Sequence, residues 1–376
     1  MAKDLPGNVM VDILSRLPHT TIPHCKFVCK NWRNLINEPY FANIHLSRSP
    51  AGLMIFQQSS ILKWVEIKEE LDHRQLHHDP VNALDLKFVP FFKNSYISLV
   101  GSVNGLLCLW DRDFNIECDN TYICNPITRE CITLPRQQYY GKGPARIAYG
   151  FGVGLKTKKY KVVRISQRNT PPDPPLPSRP RLIEAEVYTL GTGQWRSLGH
   201  VPYWLNDWDE PFLNGCVHWM LYDENFPEKL CSFDIDNETF QLFPSPPFDA
   251  FDDTRIPWES LALLKGCLCQ SHTFVTGFTI WVMKEYGIKK SWHKEVVIKQ
   301  SISRDLDWRP LYLIGGLEDG TILMVYYLDE VLAYSPKTKT CEKIDFFNQF
   351  DPPFTRMVYQ LSSLKMNFES ERVHML

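Results

Sequence analysis

Few side chains of this sequence combine the residue types and the spacing that catalysis or metal binding requires. His77, His78 and Asp79 are metal-ligand types, but adjacent side chains on an extended chain point to opposite faces, which favours a solvated loop. The run Gly150–Gly154 lacks the spacing of a dinucleotide-binding loop and is expected at a strand turn. The metalloprotease, nucleophile-elbow and phosphate-loop motifs are absent from the sequence. We therefore expect a protein that is not an enzyme and that uses neither a metal nor a cofactor.

The cysteines give no sign of a metal site or of a disulfide framework. There are eleven of them, an odd number, scattered from Cys25 to Cys341 without a CxxC pair. In a reducing compartment such cysteines behave as small buried hydrophobic residues. The sequence therefore predicts neither disulfides nor zinc ligands.

Length and charge limit the remaining classes of function. A chain of 376 residues exceeds the ~100–200 residues of a usual single core, so a small head and one large body are expected. The formal net charge of −2 creates no field that would attract nucleic acid or an anionic membrane. No segment approaches the ~20 apolar residues of a membrane span, and the first residues lack a signal-peptide core. We expect a protein of the cytoplasm or the nucleus that binds neither nucleic acid nor membrane.

The first forty residues contain two amphipathic runs that predict short helices. In the first run, apolar residues recur at steps of three and four, which places on one face Val9 or Met10, Ile13, Leu14 and Leu17. The second run predicts a helix over 25–36 with an apolar stripe that leaves Phe27 outside. Pro23 limits helix formation in the link between the runs. Together the two helices carry more apolar surface than so small a unit can bury, which predicts a docking module.

The order of these residues resembles the F-box sequence, and the particular residues resemble those of plant F-box proteins. The resemblance runs from about Asp4 to Phe41 and rests on Leu5-Pro6, the helix that ends at Leu17-Pro18, and the segment Phe27–Ile36. It implies that the module binds the Skp-type adaptor of a cullin ubiquitin ligase. Carried over residue by residue, it assigns adaptor contacts to Leu5, Pro6, Val9, Ile13, Leu14, Leu17, Pro18, Phe27, Val28 and Trp32. A purely core role is an equal alternative for Trp32. The link over residues 19–24, in which Pro23 limits helix formation, stands where the family usually has a Leu-rich short helix, which predicts weakened affinity for the adaptor.

Beyond residue 43 the apolar pattern changes to strand-length runs that repeat as a unit. In each unit a polar turn precedes an apolar residue, which we call a closer: Cys131, Trp195, Phe240, Trp292 and Cys341. The closers lie 45 to 64 residues apart, near the ~40–50 residues of one propeller blade. Residues 52–92, joined by a C-terminal strand at Tyr359–Leu364, would form a sixth blade. The sequence thus predicts a small all-α head over residues 1–42 and an all-β propeller over 43–376, with six blades, or alternatively seven.

A second resemblance covers part of the propeller. Segments such as Asn104–Cys108, Tyr160–Arg164 and Val187–Leu190 look like the plant F-box-associated domain, whose blades resemble kelch repeats. The resemblance is good over about 101–243 and weaker afterwards. The kelch double glycine is mostly missing, so the blade number stays open.

Two predicted loops combine aromatic rings with carboxylates and are candidates for binding a target. The first contributes Trp204, Asp207, Trp208, Asp209 and Glu210, and the second contributes Phe248 and Phe251. Rings that become buried supply binding energy and carboxylates orient a partner, which suits a basic protein segment. The alternative is that Trp204 and Trp208 pack against blade cores while the acids are solvated.

The two resemblances imply a substrate-recognition subunit of a Skp-cullin-F-box ubiquitin ligase. Its partners would be the adaptor, a cullin held through the adaptor, and an unidentified target protein. The main alternative is a ligase-independent propeller, lectin-like or scaffold, with a degenerate F-box.

Overall fold

A computed structural model describes most of the chain. The described residues are 5–18, 21–48, 51–57, 61–66, 83–85, 96–112, 118–125, 130–138, 146–169, 181–206, 210–222, 228–247, 258–274, 277–299, 311–316, 320–326, 330–344, 358–360 and 373–375. The chain divides into two compact units, of which unit 1 spans Met1–Lys68, His77–Gln138 and Thr355–Leu376. Unit 2 spans Glu69–Leu76 and Tyr139–Phe354. Within the described ranges no helix is long and apolar enough to cross a membrane.

Unit 1 begins with a helical head. Its helices are α1 (Gly7–Leu14), α2 (Ile22–Cys25), α3 (Lys30–Ile36) and α4 (Pro39–Arg48). They surround a small core of Val11, Leu14, Ile22, Cys25, Ile36 and Phe41. Helix α4 runs to Arg48, so the predicted boundary at residue 42 would cut through it.

The predicted helix over 25–36 is wrong, because the chain turns between α2 and α3. Cys29 is extended (φ −159°) and its Sγ accepts a hydrogen bond from the Trp32 amide, so Cys29 caps α3. The helical periodicity of the apolar residues continues across this break and conceals it. Pro23 does not prevent α2, since proline is tolerated in the first turn of a helix.

The described residues of unit 1 beyond the head form two antiparallel sheets. The first has the order β25-β1-β2-β3 and is formed by β1 (Ala51–Gln57), β2 (Ile61–Glu66), β3 (Ala83–Asp85) and β25 (Val358–Gln360). The second has the order β26-β7-β6-β5-β4, with β8 paired to β6, and is formed by β4 (Tyr96–Val103), β5 (Leu106–Arg112), β6 (Cys118–Asn125), β7 (Glu130–Thr133), β8 (Gln137–Gln138) and β26 (Val373–Met375). Tyr359 pairs with Gly52, so the predicted joining of the C-terminal strand to the first strand is confirmed.

The described residues of unit 2 form four antiparallel sheets of four strands, and the strands of each sheet follow one another in the chain. The first two sheets comprise β9 (Arg146–Val153), β10 (Tyr160–Asn169), β11 (Arg181–Thr189) and β12 (Trp195–His200), then β13 (Phe212–Leu213), β14 (Cys216–Met220), β15 (Leu230–Asp234) and β16 (Thr239–Phe243). The other two comprise β17 (Trp258–Leu264), β18 (Cys267–Phe274), β19 (Gly277–Met283) and β20 (Trp292–Lys299), then β21 (Leu311–Gly316), β22 (Ile322–Tyr326), β23 (Glu330–Ser335) and β24 (Thr340–Ile344). Successive sheets contact each other near their first strands, β9 beside β13 and β17 beside β21, as propeller blades do.

The predicted propeller class is confirmed, but the predicted number of blades is not. The described residues form five four-stranded blades, not six or seven. The remaining strands form the six-stranded sheet, in which β8 and β26 extend the unit formed by β4 to β7. All five closers lie in the last strand of their repeat, β7, β12, β16, β20 or β24, so the repeat itself was located correctly.

The glycines of the run Gly150–Gly154 allow two sheets to approach closely. A Cβ on Gly150 would lie 2.7 Å from Cζ2 of Trp219, and a Cβ on Gly152 would lie 2.6 Å from Cε2 of Phe212. Residues two apart in a strand share a face, so both glycines receive side chains from the next sheet. The expectation of a strand turn is therefore wrong for Gly150 and Gly152, which lie inside β9, and applies only at Gly154.

Polar side chains also fasten neighbouring sheets of unit 2. The Lys161 ammonium group donates to the Ile235 carbonyl oxygen (2.7 Å) and to Glu238 Oε1 (2.8 Å). Asp236 accepts hydrogen bonds from the Lys156 amide and from the amide and hydroxyl groups of Thr157, which lowers the pKa of Asp236 to about 2. The lysine-rich connection between β9 and β10, residues 154–159, is thus fixed to the next sheet.

One pair of cysteines contradicts the prediction that the chain has no disulfides. Cys124 on β6 and Cys131 on β7 lie directly opposite each other and are joined by a disulfide. Cross-strand neighbours bring their Cβ atoms within about 5 Å. Sequence spacing could not show this, because it does not reveal the register of the two strands.

Candidate docking surfaces

Helix α1 divides its apolar residues between two faces. The inward face packs in or against the head core through Met10, Val11 and Leu14, joined by Leu17 just after the helix. The outward face exposes Val9 and Ile13, and Leu5 just before the helix is also exposed, so that these three large apolar side chains are 39–53% exposed. The single stripe predicted from the sequence is thus split, since Ile13 and Leu14 are about 100° apart on the helix.

A second exposed apolar group lies in the turn between α2 and α3. Phe27 is 78% exposed and Val28 is 62% exposed. Their amides donate to the carbonyl oxygens of His24 and Cys25, which fixes the turn. The prediction that Phe27 lies off the core is confirmed.

Three of the predicted adaptor residues are not fully presented to solvent. Leu14 is completely buried, so it supports the exposed face and does not form it. Leu17 and Trp32 are half-buried and pack against the head core. This position of Trp32 fits the core alternative. Pro6 and Pro18 are exposed at the two ends of the first helical segment.

Charged groups fasten the C-terminal end of α1. The Asp12 carboxylate accepts hydrogen bonds from Arg16 (3.1 and 3.2 Å) and from Arg48 Nη2 (2.7 Å). These guanidinium groups hold the pKa of Asp12 below its ordinary value. Arg48 Nη1 also donates to the Asp12 carbonyl oxygen (3.1 Å) and to the Ser15 hydroxyl. One arginine of α4 therefore binds α1 through both backbone and side-chain oxygens.

Two residues of the head were not predicted from the sequence. Tyr40 is 62% exposed on α4, while its neighbour Phe41 is buried and stacks on His45 with ring centroids 5.8 Å apart. Adjacent aromatic residues on a helix cannot both face one core, which was an available signal. Arg48 gave no signal, because its partner Asp12 is 36 residues away.

The described part of the first predicted target loop is held at the edge of a blade core. Trp204 is half-buried and packs against the apolar cluster that contains Trp219 and Phe233. The Trp204 carbonyl accepts from the Tyr222 amide (2.9 Å), and Gln167 bonds both the amide and the carbonyl of Leu205. These contacts favour the alternative in which Trp204 packs against the blade.

The remaining predicted target residues stay predictions. Glu210 is half-buried. The others lie outside the described residues: Asp207, Trp208, Asp209, Phe248 and Phe251.

Unit 2 exposes other aromatic side chains that the sequence did not single out. Tyr222 is 46% exposed, and the Arg146 guanidinium lies 4.4 Å from the centroid of its ring. Trp258, at the start of β17, is 59% exposed. Tyr222 comes shortly after a fully buried strand, and Trp258 begins a strand that is mostly buried, so the neighbouring residues do not reveal the exposure of either ring.

Comparison with known proteins agrees with this division of the chain. The F-box domain family matches residues 3–43, and the family described as the F-box associated beta propeller domain matches residues 52–366. In Arabidopsis thaliana, F-box protein At3g07870 is 30% identical over 89% of this chain and 86% of its own length. F-box/kelch-repeat protein At3g23880 is 26% identical over 84% of each chain. Putative F-box protein At1g47790 is 24% identical over 93% of this chain and 87% of its own.

A helical module with an exposed apolar face, followed by propeller blades, is typical of docking proteins, and the families matched here are generally non-catalytic. The chain belongs to the plant F-box proteins that carry an F-box associated β-propeller domain. The match to the propeller family extends well beyond residues 101–243, the segment that resembles this domain well in its motifs.

Proposed function

We propose that the protein is the substrate-recognition subunit of a Skp-cullin-F-box ubiquitin ligase. The head would bind the Skp-type adaptor, and through it the cullin, while the propeller would hold a target protein. The reaction would be accelerated by proximity, because the receptor raises the effective concentration of target lysines near a conjugating enzyme that another subunit carries. The proposal locates this activity in the cytoplasm or the nucleus.

The observation that carries the proposal is an exposed apolar face on a head whose core is already complete. Leu14 and Phe41 are fully buried in that core, yet five large apolar side chains remain 39–78% exposed: Leu5, Val9, Ile13, Phe27 and Val28. Large apolar side chains exposed together on so small a module mark an interaction site. The match of residues 3–43 to the F-box family supports an adaptor as the occupant.

The chain with Leu5→Ala and Pro6→Ala is expected to bind the purified adaptor at least about tenfold more weakly than the unaltered chain. Burying one leucine side chain contributes about 1.5–3 kcal/mol, and each 1.4 kcal/mol is a factor of ten in Kd. Isothermal titration calorimetry would measure the change.

Leu155→Ala is the matched control, because Leu155 is a leucine with the same 53% exposure on unit 2. Its affinity should equal that of the unaltered chain. Equal adaptor binding by the Leu5→Ala/Pro6→Ala chain would rule out the proposed role of this face.

Target recognition requires a separate experiment. Affinity capture with ubiquitin-dependent degradation blocked would compare the unaltered chain with the Leu5→Ala/Pro6→Ala chain. Proteins that both chains retain, and that accumulate only in cells with the altered chain, would be candidate targets. A ligase-independent propeller would instead retain partners whose abundance is the same in both cells.

A further inference from the structure

Helix α1 needs support at its C-terminal end to present its outward face. It has only eight residues, and isolated helices of that length are marginal in water. The last carbonyl groups of a helix have no partner within the helix and are stabilised by cationic side chains. In α1 the following backbone amides satisfy the carbonyl oxygens of Val11, Ile13 and Leu14. The Asp12 carbonyl oxygen accepts instead from side chains, of which the Ser15 hydroxyl is one.

Arg48 supplies this support from α4. Its guanidinium group binds the Asp12 carboxylate, the Asp12 carbonyl oxygen and the Ser15 hydroxyl. The fixed fork of an arginine can satisfy several oxygens at once, which a lysine ammonium does less well. Arg48 thus joins the last turn of α4 to the end of α1.

The group that Arg48 holds lies within the outward face. Val9, Asp12, Ile13 and Arg16 are spaced at three and four residues, so they are neighbours on one side of α1. Asp12 is 47% exposed there, between the exposed side chains of Val9 and Ile13. The rotation and order of the last turn of α1 therefore decide where Ile13 points.

The rest of the last turns of α4 also packs onto the head. His45 is buried and its Nε2 donates to the Leu17 carbonyl oxygen (3.2 Å), and Ile44 packs against the head core. These residues, like Arg48, lie beyond residue 43, where the match to the F-box family ends. The head is therefore a larger structural unit than the matched segment.

We propose that Arg48 is a positioning residue for adaptor binding, and that the working docking module of this chain extends to Arg48. Arg48 acts through Asp12: it orders the end of α1 and so fixes Ile13 for the adaptor. This inference rests on the proposed function, since it concerns the same binding face.

Adaptor binding by the full-length chain tests the inference. Arg48→Met is expected to raise Kd about fivefold to tenfold, and Asp12→Asn by a similar factor. Because the two residues act as one unit, the double variant should bind no more weakly than the worse single variant. Arg48→Lys, which keeps the charge but not the fork, should fall between Arg48→Met and the unaltered chain.

Arg196→Met is the matched control, because Arg196 also pairs with a carboxylate, Glu238, but lies in unit 2. It should leave Kd unchanged. Amide hydrogen exchange separates positioning from folding: in the Arg48→Met chain, the amides at the end of α1 should exchange faster while those of α3 keep their protection. Loss of protection in α3 would show a purely structural role and overturn the proposal.

The possible failures are distinguishable. If the unaltered chain binds the adaptor and Arg48→Met binds equally well, the positioning role is refuted and the proposed function stands. Additive effects of Arg48→Met and Asp12→Asn would show that Arg48 acts independently of Asp12, which also refutes it. If the unaltered chain does not bind the adaptor, both proposals fail.

Discussion

Trp219→Ala is expected to lower the free energy of unfolding of unit 2 by about 3–5 kcal/mol, the usual range for a buried tryptophan. Trp219 is completely buried and packs against Val163, Val217 and Phe233. Its ring also fills the space above Gly150, and its Nε1 donates to the Tyr149 carbonyl oxygen (3.2 Å). The substitution therefore removes contacts within one sheet and between two sheets. Denaturant unfolding followed by circular dichroism would measure the loss.

Trp258→Ala is the matched control, because Trp258 is a tryptophan of the same unit that is 59% exposed. Surface substitutions of this kind usually change stability by less than about 0.5 kcal/mol. Adaptor affinity should survive Trp219→Ala, since the described residues of the head core all belong to the head. A loss of adaptor binding together with the loss of stability would contradict this separation of the two functions.

The parts of the fold that could be predicted from the sequence are those that depend on local patterns of apolar and polar residues. Alternating apolar residues and polar turns located the last strand of each repeat, because a strand next to a turn depends on neighbours in sequence. The five closers, such as Trp195 in β12 and Trp292 in β20, therefore fell in the correct strands. The joining of β25 to β1 was also predicted, from the need to leave no long unpaired edge.

The features that sequence missed depend on contacts between distant residues. Arg48 and Asp12 are 36 residues apart, and no periodicity connects them. The pairing of Cys124 with Cys131 depends on the register of β6 and β7. The predicted blade number was wrong because β26 pairs with β7 across more than two hundred intervening residues. Local sequence patterns do not reveal a pairing over such a distance.

The candidate site was predicted in part for the same reason. Leu5, Val9, Ile13, Phe27 and Val28 are apolar residues in a module too small to bury them, and all five are exposed. Periodicity alone could not separate Leu14, which is buried, from Ile13, which is not. For the target surface, an acidic and aromatic loop composition suggested exposure of Trp204, but the packing of its ring depends on Trp219 and Phe233 in strands that follow it.

The unfolding free energy of unit 2 is expected to fall by about 3 kcal/mol because of His218 as the pH decreases from 7 to 4. His218 is completely buried; its Nδ1 lies 3.1 Å from the Pro211 carbonyl oxygen, and its Nε2 lies 2.9 Å from the Tyr286 hydroxyl. A carbonyl only accepts, so Nδ1 carries the proton, and in the neutral ring Nε2 accepts from the Tyr286 hydroxyl. Burial lowers the pKa of His218 to about 4, against about 6.5 in an unfolded chain.

The sign follows from which state binds the proton. Below pH 6.5 the unfolded chain takes up a proton that the folded chain does not accept until about pH 4, so stability is present above 6.5 and is lost as the pH falls. Burial raises the pKa of the Glu259 carboxyl group to about 7. The contribution of Glu259 to the unfolding free energy therefore has the opposite pH dependence: it is present at low pH and is lost as the pH rises.

The quantity to measure is therefore the difference in unfolding free energy between the unaltered chain and His218→Gln at each pH, in which the Glu259 contribution cancels. Glutamine is neutral throughout and has both a donor and an acceptor, so the difference should shrink by about 3 kcal/mol between pH 7 and pH 4. His293→Gln is the control at an exposed histidine, and a His218→Gln difference that is constant with pH would show that His218 is not a buried neutral residue.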